Sequence, residues 1–135
     1  MDLSGKSALI TGSTSGIGYA IAEGLASKGV NIFLHSITDN KTDHQLAAKL
    51  SKKFSIKTTY LQANLSSSSA ARDLVRRTKH IDILINNAGL QHVSPIEKLE
   101  ISTWDTMIAV MLSAVFHTTA IALPMMKGSG WGRII

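Results

Sequence analysis

The run Thr11-Gly12-Ser13-Thr14-Ser15-Gly16-Ile17-Gly18 follows directly on the apolar stretch Ser7-Ala8-Leu9-Ile10. It opens into apolar residues at helical spacing, Ile17, Ile21 and Leu25. A strand, a glycine-rich turn and a helix N-terminus, in that order, build a cradle for a pyrophosphate. The first turn of a helix offers unpaired N–H groups and a partial positive charge. Glycine lets the backbone approach a ligand and turn through positive φ. Gly12, Thr14, Ser15, Gly16, Ile17 and Gly18 are therefore candidate cofactor-binding residues. Their spacing is G-x-x-x-G-x-G, not the commoner G-x-G-x-x-G, and no Gly-Lys-Ser/Thr closes it as in a P-loop.

Strand and helix patterns alternate along the rest of the chain. Strands are expected over residues 7–11, 30–35, 57–62 and 81–85, and helices over 16–29, 42–54, 70–79 and 102–126. Ser66–Ser69 is a run of four serines that suits a helix cap. A loop covers residues 86–94, and Gly128-Ser129-Gly130 breaks the long helix before a last strand begins at Trp131. Repeated β-α-β units imply a parallel sheet with right-handed crossovers. The expected fold is α/β, a Rossmann-type doubly wound parallel sheet, cut off after the start of strand five. Strands one to four take the order 3-2-1-4, with strand five beside strand four. No linker or repeat divides residues 1–135, so they form the N-terminal dinucleotide-binding part of one domain.

Composition narrows the chemistry. The chain has no Cys, which excludes disulfides, thiolate metal sites and a cysteine nucleophile. Its five histidines show no ligand spacing, so no metal site is expected. The formal charge is +5, but only Lys52-Lys53 and Arg76-Arg77 are adjacent cations. Scattered charge is a solvated surface rather than a nucleic-acid footprint. The N-terminus carries Asp2 and no long apolar core, so it is not a secretory signal, and a cytoplasmic location is expected. Residues 107–126 are apolar, yet hold Ser113, His117, Thr118, Thr119 and Pro124. A buried or interface helix is expected there, and no membrane association.

Thr11-Gly12-x-x-x-Gly16-Ile17-Gly18 resembles the cofactor motif of the short-chain dehydrogenase/reductase family. Asn86-Asn87-Ala88-Gly89, after strand four, resembles that family's second motif. The similarity runs over all 135 residues. Within the family, Asn86–His92, Trp104-Asp105, Leu112–His117 and Trp131–Ile135 are similar to the members that act on 3-hydroxybutyrate and acetoacetate. The resemblance implies an NAD-dependent oxidoreductase acting on a small hydroxy acid. It places Asn87, Ala88 and Gly89 near the cofactor, with Asn87 and Gly89 against the adenosine ribose. It gives Gln91 a hydrogen bond to the substrate carboxylate; read as a residue alone, Gln91 is equally a solvated loop side chain. Asn64-Leu65 stands where relatives carry Asp and Leu or Val: the Asn carbonyl can accept from the adenine amino group, and the Leu65 N–H can donate to the ring.

The end of strand two sets the 2′ preference of such a cofactor. Here it reads His35-Ser36-Ile37-Thr38, neither acidic nor strongly basic, and Ser15 is neutral too. NAD is expected rather than NADP.

The family's proton relay is a Tyr-x-x-x-Lys pair with a Ser. Neither Tyr19 nor Tyr60 has a Lys four residues on, so no catalytic residue is assigned within these 135 residues. The family also places an Asn before the Leu-Ser matching Leu112-Ser113; here that residue is Met111. A thioether cannot donate and accepts only weakly. Residues 66–80 are also shorter than in relatives by ~4 residues, about one helical turn. The isolated chain is expected to be inactive. The alternative is a catalytically dead nucleotide-binding or oligomer-interaction module. The resemblance also implies a homo-oligomer formed through the long helix, residues 102–126.

Overall fold

Every apolar run read as a strand enters one parallel sheet. The computed structural model describes residues 2–135. The strands are β1 (Ser7–Ile10), β2 (Asn31–Ser36), β3 (Thr58–Gln62), β4 (Ile83–Ile85) and the short β5 (Arg133–Ile134). They pair in the order β3-β2-β1-β4-β5, and every pair is parallel. The helices are α1 (Gly16–Ala26), α2 (Lys41–Phe54), α3 (Ser68–Arg77), α4 (Ile101–Ile108) and α5 (Ala114–Ser129). The expected doubly wound fold is the observed one.

The strands are apolar on both sides because both sides are covered. Ala8, Ile10, Ile32, Leu34, Ile83 and Ile85 pack with Ala22 and Ala26 of α1 and Ala47 and Leu50 of α2. Leu9 and Leu84 face the other way, against Leu74 and Val75 of α3 and Ala114, Ala122 and Met126 of α5. Leu84 is fully buried between β1 and β5. Truncating it to Ala costs about 2–5 kcal/mol. Helix α3 keeps its apolar side in phase, with Leu74 and Val75 fully buried.

The boundaries differ where backbone bonding ends an element early. Helix α1 stops at Ala26, because Lys28 and Gly29 donate to Leu25 and Ala26 in a tighter turn. Helix α3 starts at Ser68, because the Ser67 hydroxyl caps Ala70 N–H. Strand β4 is confined to Ile83–Ile85; the Asp82 carboxylate before it accepts from Ser7 N–H at 2.9 Å and pairs with Lys6. Trp131 is not in β5, since its N–H bonds to Met126 O and ties it to the end of α5.

The long helix is continuous over Ile101–Ser129, with one π turn at Ala109–Ser113. By length and apolarity it could cross a membrane. One side of it, Ala114, Thr118, Ala122 and Met126, is buried in the domain. The other exposes Leu112, Val115, Phe116 and Leu123.

The order 3-2-1-4 reverses direction between β1 and β4. In such sheets a crevice opens at the carboxyl ends of the strands at that reversal. The glycine turn after β1 and the loop after β4 meet there.

Candidate cofactor site

The turn after β1 is shaped by its glycines. Gly12 sits at φ +62, and a Cβ there would come within 2.9 Å of Ala88 Cα. A Cβ on Gly18 would collide with Gly12 O and lie 2.5 Å from Asn87 Nδ2. Any side chain at either position would push the two motifs apart.

Hydrogen bonds then fasten the motifs together. Asn87 Nδ2 donates to Thr11 O at 3.0 Å and to Gly12 O at 2.9 Å. The Thr11 hydroxyl accepts from the N–H groups of Asn87 and Ala88, both at 3.0 Å. Thr11 N–H donates to Ile85 O at 3.0 Å. The end of β1 is therefore held to the end of β4 through both backbone and side chains.

A third segment joins them from β2. His35 is 3% exposed. Its Nδ1 accepts the Gly12 N–H at 3.0 Å, and its Nε2 lies 3.1 Å from Ala63 O. The Ser13 hydroxyl donates to Ile10 O at 2.7 Å and accepts from His35 N–H at 2.9 Å. Burial pushes the His35 pKa down to about 4; the bond to Ala63 opposes this, and Arg77 adds to it. The ring is neutral at pH 7. With Nδ1 accepting, its one proton is on Nε2 and is donated to Ala63 O.

Above this turn the start of α1 is open. Ser15 makes no side-chain cap bond, and Ile17 is 75% exposed. By contrast, Asn40 caps α2 at Asp43 N–H, and Ser67 caps α3 at Ala70 N–H. Of the helices following β1, β2 and β3, α1 alone leaves its first-turn donors without a side-chain partner. That is the arrangement an anion fills. Thr14 is half-buried, while Ser15 and Gly16 are exposed beside it.

The remaining candidates are placed as follows. Asn64 Oδ1 already accepts from Ser66 N–H at 3.0 Å and Ser66 Oγ at 2.8 Å. The oxygen read from the sequence as an adenine acceptor thus holds a local turn. Leu65 is buried, and its N–H makes no bond among the described residues. Asn87 spends both amide hydrogens on the turn, and its Oδ1 accepts no hydrogen bond among the described residues. Gly89 is exposed, with Met111 Cε 3.9 Å from the position of a Cβ on it. Met111 lies in the π turn and is 49% exposed. Such turns often occur at functional sites. Gln91 is exposed on the same loop and makes no side-chain hydrogen bond among the described residues.

The loop after β2 is acidic. Thr38 Oγ1 and Asn40 Nδ2 donate to Asp43 at 2.6 and 3.0 Å, and Asp39 pairs with His44. Lys41 is an exposed cation nearby. Tyr19 and Tyr60 are both pushed up in pKa, chiefly by burial, with Glu23 and Asp43 adding to the effect. That is the direction opposite to the tyrosinate a proton relay needs. Sequence reasoning named Thr11 in the motif and His35 at the end of strand two, but missed the hydrogen bonds by which Thr11, Ser13 and His35 hold the site; the long-range ones span 22 to 77 residues.

A parallel sheet with a glycine turn and an open helix N-terminus at its reversal point defines a dinucleotide-binding protein of the Rossmann type. A profile described as short chain dehydrogenase matches residues 6–135, and the chain belongs to that family. It is 43% identical to a D-beta-hydroxybutyrate dehydrogenase of Cupriavidus necator over 98% of its length. It is 42% identical to the enzyme of the same name from Rhizobium meliloti over 96%. The chain spans 52% of each of these relatives, about half their length. The L-sorbose reductase of Gluconobacter frateurii, solved with NADPH and L-sorbose, superposes with a TM-score of 0.93 at 31% identity. That match covers 99% of this chain and 53% of the reductase. An NADH-dependent reductase, A1-R', solved with NAD, superposes at 0.85 with 34% identity, over 96% of this chain and 55% of its own. Neighbours of both cofactor types thus share the fold.

Proposed function

We propose that these residues are the cofactor-binding half of a short-chain oxidoreductase that uses NAD. Its substrate is 3-hydroxybutyrate, acetoacetate or a similar small hydroxy acid. The observation that carries this is the open first turn of α1 above a turn where Gly18 admits no Cβ. The N–H groups of Gly16, Ile17 and Gly18 would take the pyrophosphate. Asn87 Oδ1 and the Leu65 N–H would face the adenosine half. Asp39 and Asp43 after β2, with Lys41 exposed beside them and Arg77 turned to Gln62 O, favour a 2′-hydroxyl over a 2′-phosphate. Gln91 offers an amide donor to a carboxylate. When bound, the nicotinamide supplies or takes the hydride; these residues position it but provide no tyrosine–lysine pair to move the proton.

The test is a titration with NADH, followed by energy transfer from Trp104 and Trp131. Saturable binding that weakens at least tenfold in Gly16→Asp is expected, because an added carboxylate at φ +55 strains the turn and repels the phosphate. No saturation by a folded chain would overturn the reading. Mixed with 3-hydroxybutyrate and NAD, the chain alone should turn over no faster than a blank.

A second reading rests on the exposed side of the long helix. Leu112 and Phe116, 65% and 64% exposed, lie one turn apart on it. An interaction module would associate through this face whether or not it binds a cofactor.

A further inference from the structure

Both of the segments assigned above to the cofactor are held by one buried residue. The Gly12 turn is where the pyrophosphate would sit, and Asn64-Leu65 is where the adenine would sit. His35 lies between them, near the end of β2, paired in register with Leu61 of β3. Its backbone N–H and C=O both engage Ser13, at 2.9 and 2.8 Å. Its Nδ1 holds Gly12 and its Nε2 holds Ala63, the carbonyl directly before Asn64. All four polar groups of His35 are therefore committed to the two cofactor segments. A buried ring that made neither side-chain bond would leave four polar groups unsatisfied: its own Nδ1 and Nε2–H, the Gly12 N–H and the Ala63 carbonyl.

We propose that His35 is a positioning residue for the dinucleotide: its neutral Nε2–H tautomer fixes the spacing between the pyrophosphate turn and the adenine loop. This rests on the cofactor reading above. The ring touches no ligand in this scheme. It acts through Gly12 N–H, whose direction sets the turn, and through the Ala63 carbonyl, which fixes the chain where it enters Asn64-Leu65. The tautomer matters because only an unprotonated Nδ1 can accept from Gly12. A phenyl ring of similar size would fill the space but make neither ring bond, leaving only the backbone pairing with Ser13.

Two variants separate the two bonds. In His35→Asn the carboxamide oxygen takes the place of Nδ1, so Gly12 keeps its acceptor and Ala63 loses its donor. In His35→Gln the carboxamide nitrogen takes the place of Nε2, so Ala63 keeps its donor and Gly12 is released. AMP and NADH are the probes, and backbone amide NMR is the independent readout. In His35→Asn the Asn64 amide signal should move while that of Gly12 stays; in His35→Gln the pattern should reverse. NADH affinity should fall about tenfold in each, the loss expected from one hydrogen bond of ~1.4 kcal/mol. AMP affinity should fall only in His35→Asn. Nitrogen-15 shifts of the parent imidazole should show Nε2–H at pH 7. An Nδ1–H tautomer, amide signals that stay put in both variants, or NADH binding equal to the parent in both would overturn the proposal. A parent chain that binds no NADH would instead sink the cofactor reading, and the amide signals would still decide whether His35 clamps the two segments.

Discussion

Asn87 donates both of its amide hydrogens to the glycine turn, to Thr11 O and to Gly12 O, across 76 and 75 residues of sequence. The side chain that the family resemblance assigns to the ribose is thus first a brace between β1 and β4. Two roles on one residue are compatible, since the braced amide still has Oδ1 to offer. They differ in what their loss would do.

Replacing Asn87 with Ala should cost stability as well as binding. Two half-buried carbonyl oxygens lose their donors, at about 2 kcal/mol in all. For a chain of this size that lowers the melting temperature by roughly 6–10 °C. NADH affinity should fall with it, because Gly12 in the glycine turn loses its brace from Asn87 and is left with its tie to His35. Gln91→Ala is the contrast. Gln91 is exposed and bonded to nothing among the described residues, so its loss should change stability by less than about 0.5 kcal/mol. Calorimetry on the two variants checks both statements; an Asn87→Ala chain as stable as the parent would show that the brace is dispensable.

The fold was legible because its signals are local and repeated. Apolar runs such as Ile83–Ile85 can only be strands buried on both faces, and Gly12-x-x-x-Gly16-x-Gly18 after β1 leaves little choice of architecture. The cradle was legible for the same reason. What escaped was the set of side chains that hold it. His35 reads as an ordinary polar end to β2, and its burial depends on Gly12 folding over it and Ala63 closing beneath. Asn64 reads as a ligand acceptor until Ser66 folds back onto it. The π turn around Met111 leaves no mark either, because the apolar spacing continues through it. Sequence periodicity reports which face of an element is covered; it does not report where long-range hydrogen bonds close.

His35 makes stability pH-dependent in a defined window. Its folded pKa, about 4, lies below the ordinary value of 6.5, so the unfolded chain binds the extra proton more readily. The resulting stability is complete above pH 6.5 and is lost as pH falls toward 4. The full loss is about 3 kcal/mol. Arg77, the charged group that faces the ring, pushes in the same direction as burial. Asp82 acts lower in the scale. Burial raises its pKa, but the Ser7 N–H, Lys6 and His80 outweigh that and leave it below the usual value, so its contribution is lost only through the carboxylate range. Melting temperatures of parent and His35→Asn should converge between pH 6.5 and 4. Parallel pH profiles would mean that His35 titrates normally.

Met111 puts a thioether beside Gly89, at the position where the resemblance read from the sequence expects an amide. Its half-exposed position in the π turn gives a replacement side chain room. We expect Met111→Asn to raise turnover when residues 1–135 are joined to the second half of the Cupriavidus necator relative. A tenfold rise corresponds to about 1.4 kcal/mol of barrier. Steady-state rates with 3-hydroxybutyrate and NAD decide it, and equal rates for both chimaeras would remove Met111 from the account. The same substitution in the chain alone should leave NADH binding within about twofold, because Met111 touches none of the phosphate donors.

The exposed face of the long helix predicts association. Leu112 and Phe116 are the most exposed of the large apolar residues on α5 and the π turn, and Leu123 extends their row toward β5. A row of large apolar side chains facing water on one helix marks an interaction surface. A second copy of the chain can cover it by presenting the same row in return, as a two-fold interface requires. Arg72 places its guanidinium 6.0 Å from the Phe116 ring, and Leu112, Phe116 and Leu123 carry no charge themselves, so two such faces can meet with little charge buried between them. The double variant Leu112→Asp, Phe116→Asp should be monomeric, because each carboxylate would have to be desolvated against its mate. Its melting temperature should stay within about 3 °C of the parent at dilution, since neither side chain enters the core. Sedimentation velocity over a concentration series reads the first point and thermal unfolding the second. A parent that sediments as a monomer at every concentration would leave this face without a partner of its own kind. Variants that still associate would move the interface to the open edge of β5, where Arg133 and Ile134 are exposed.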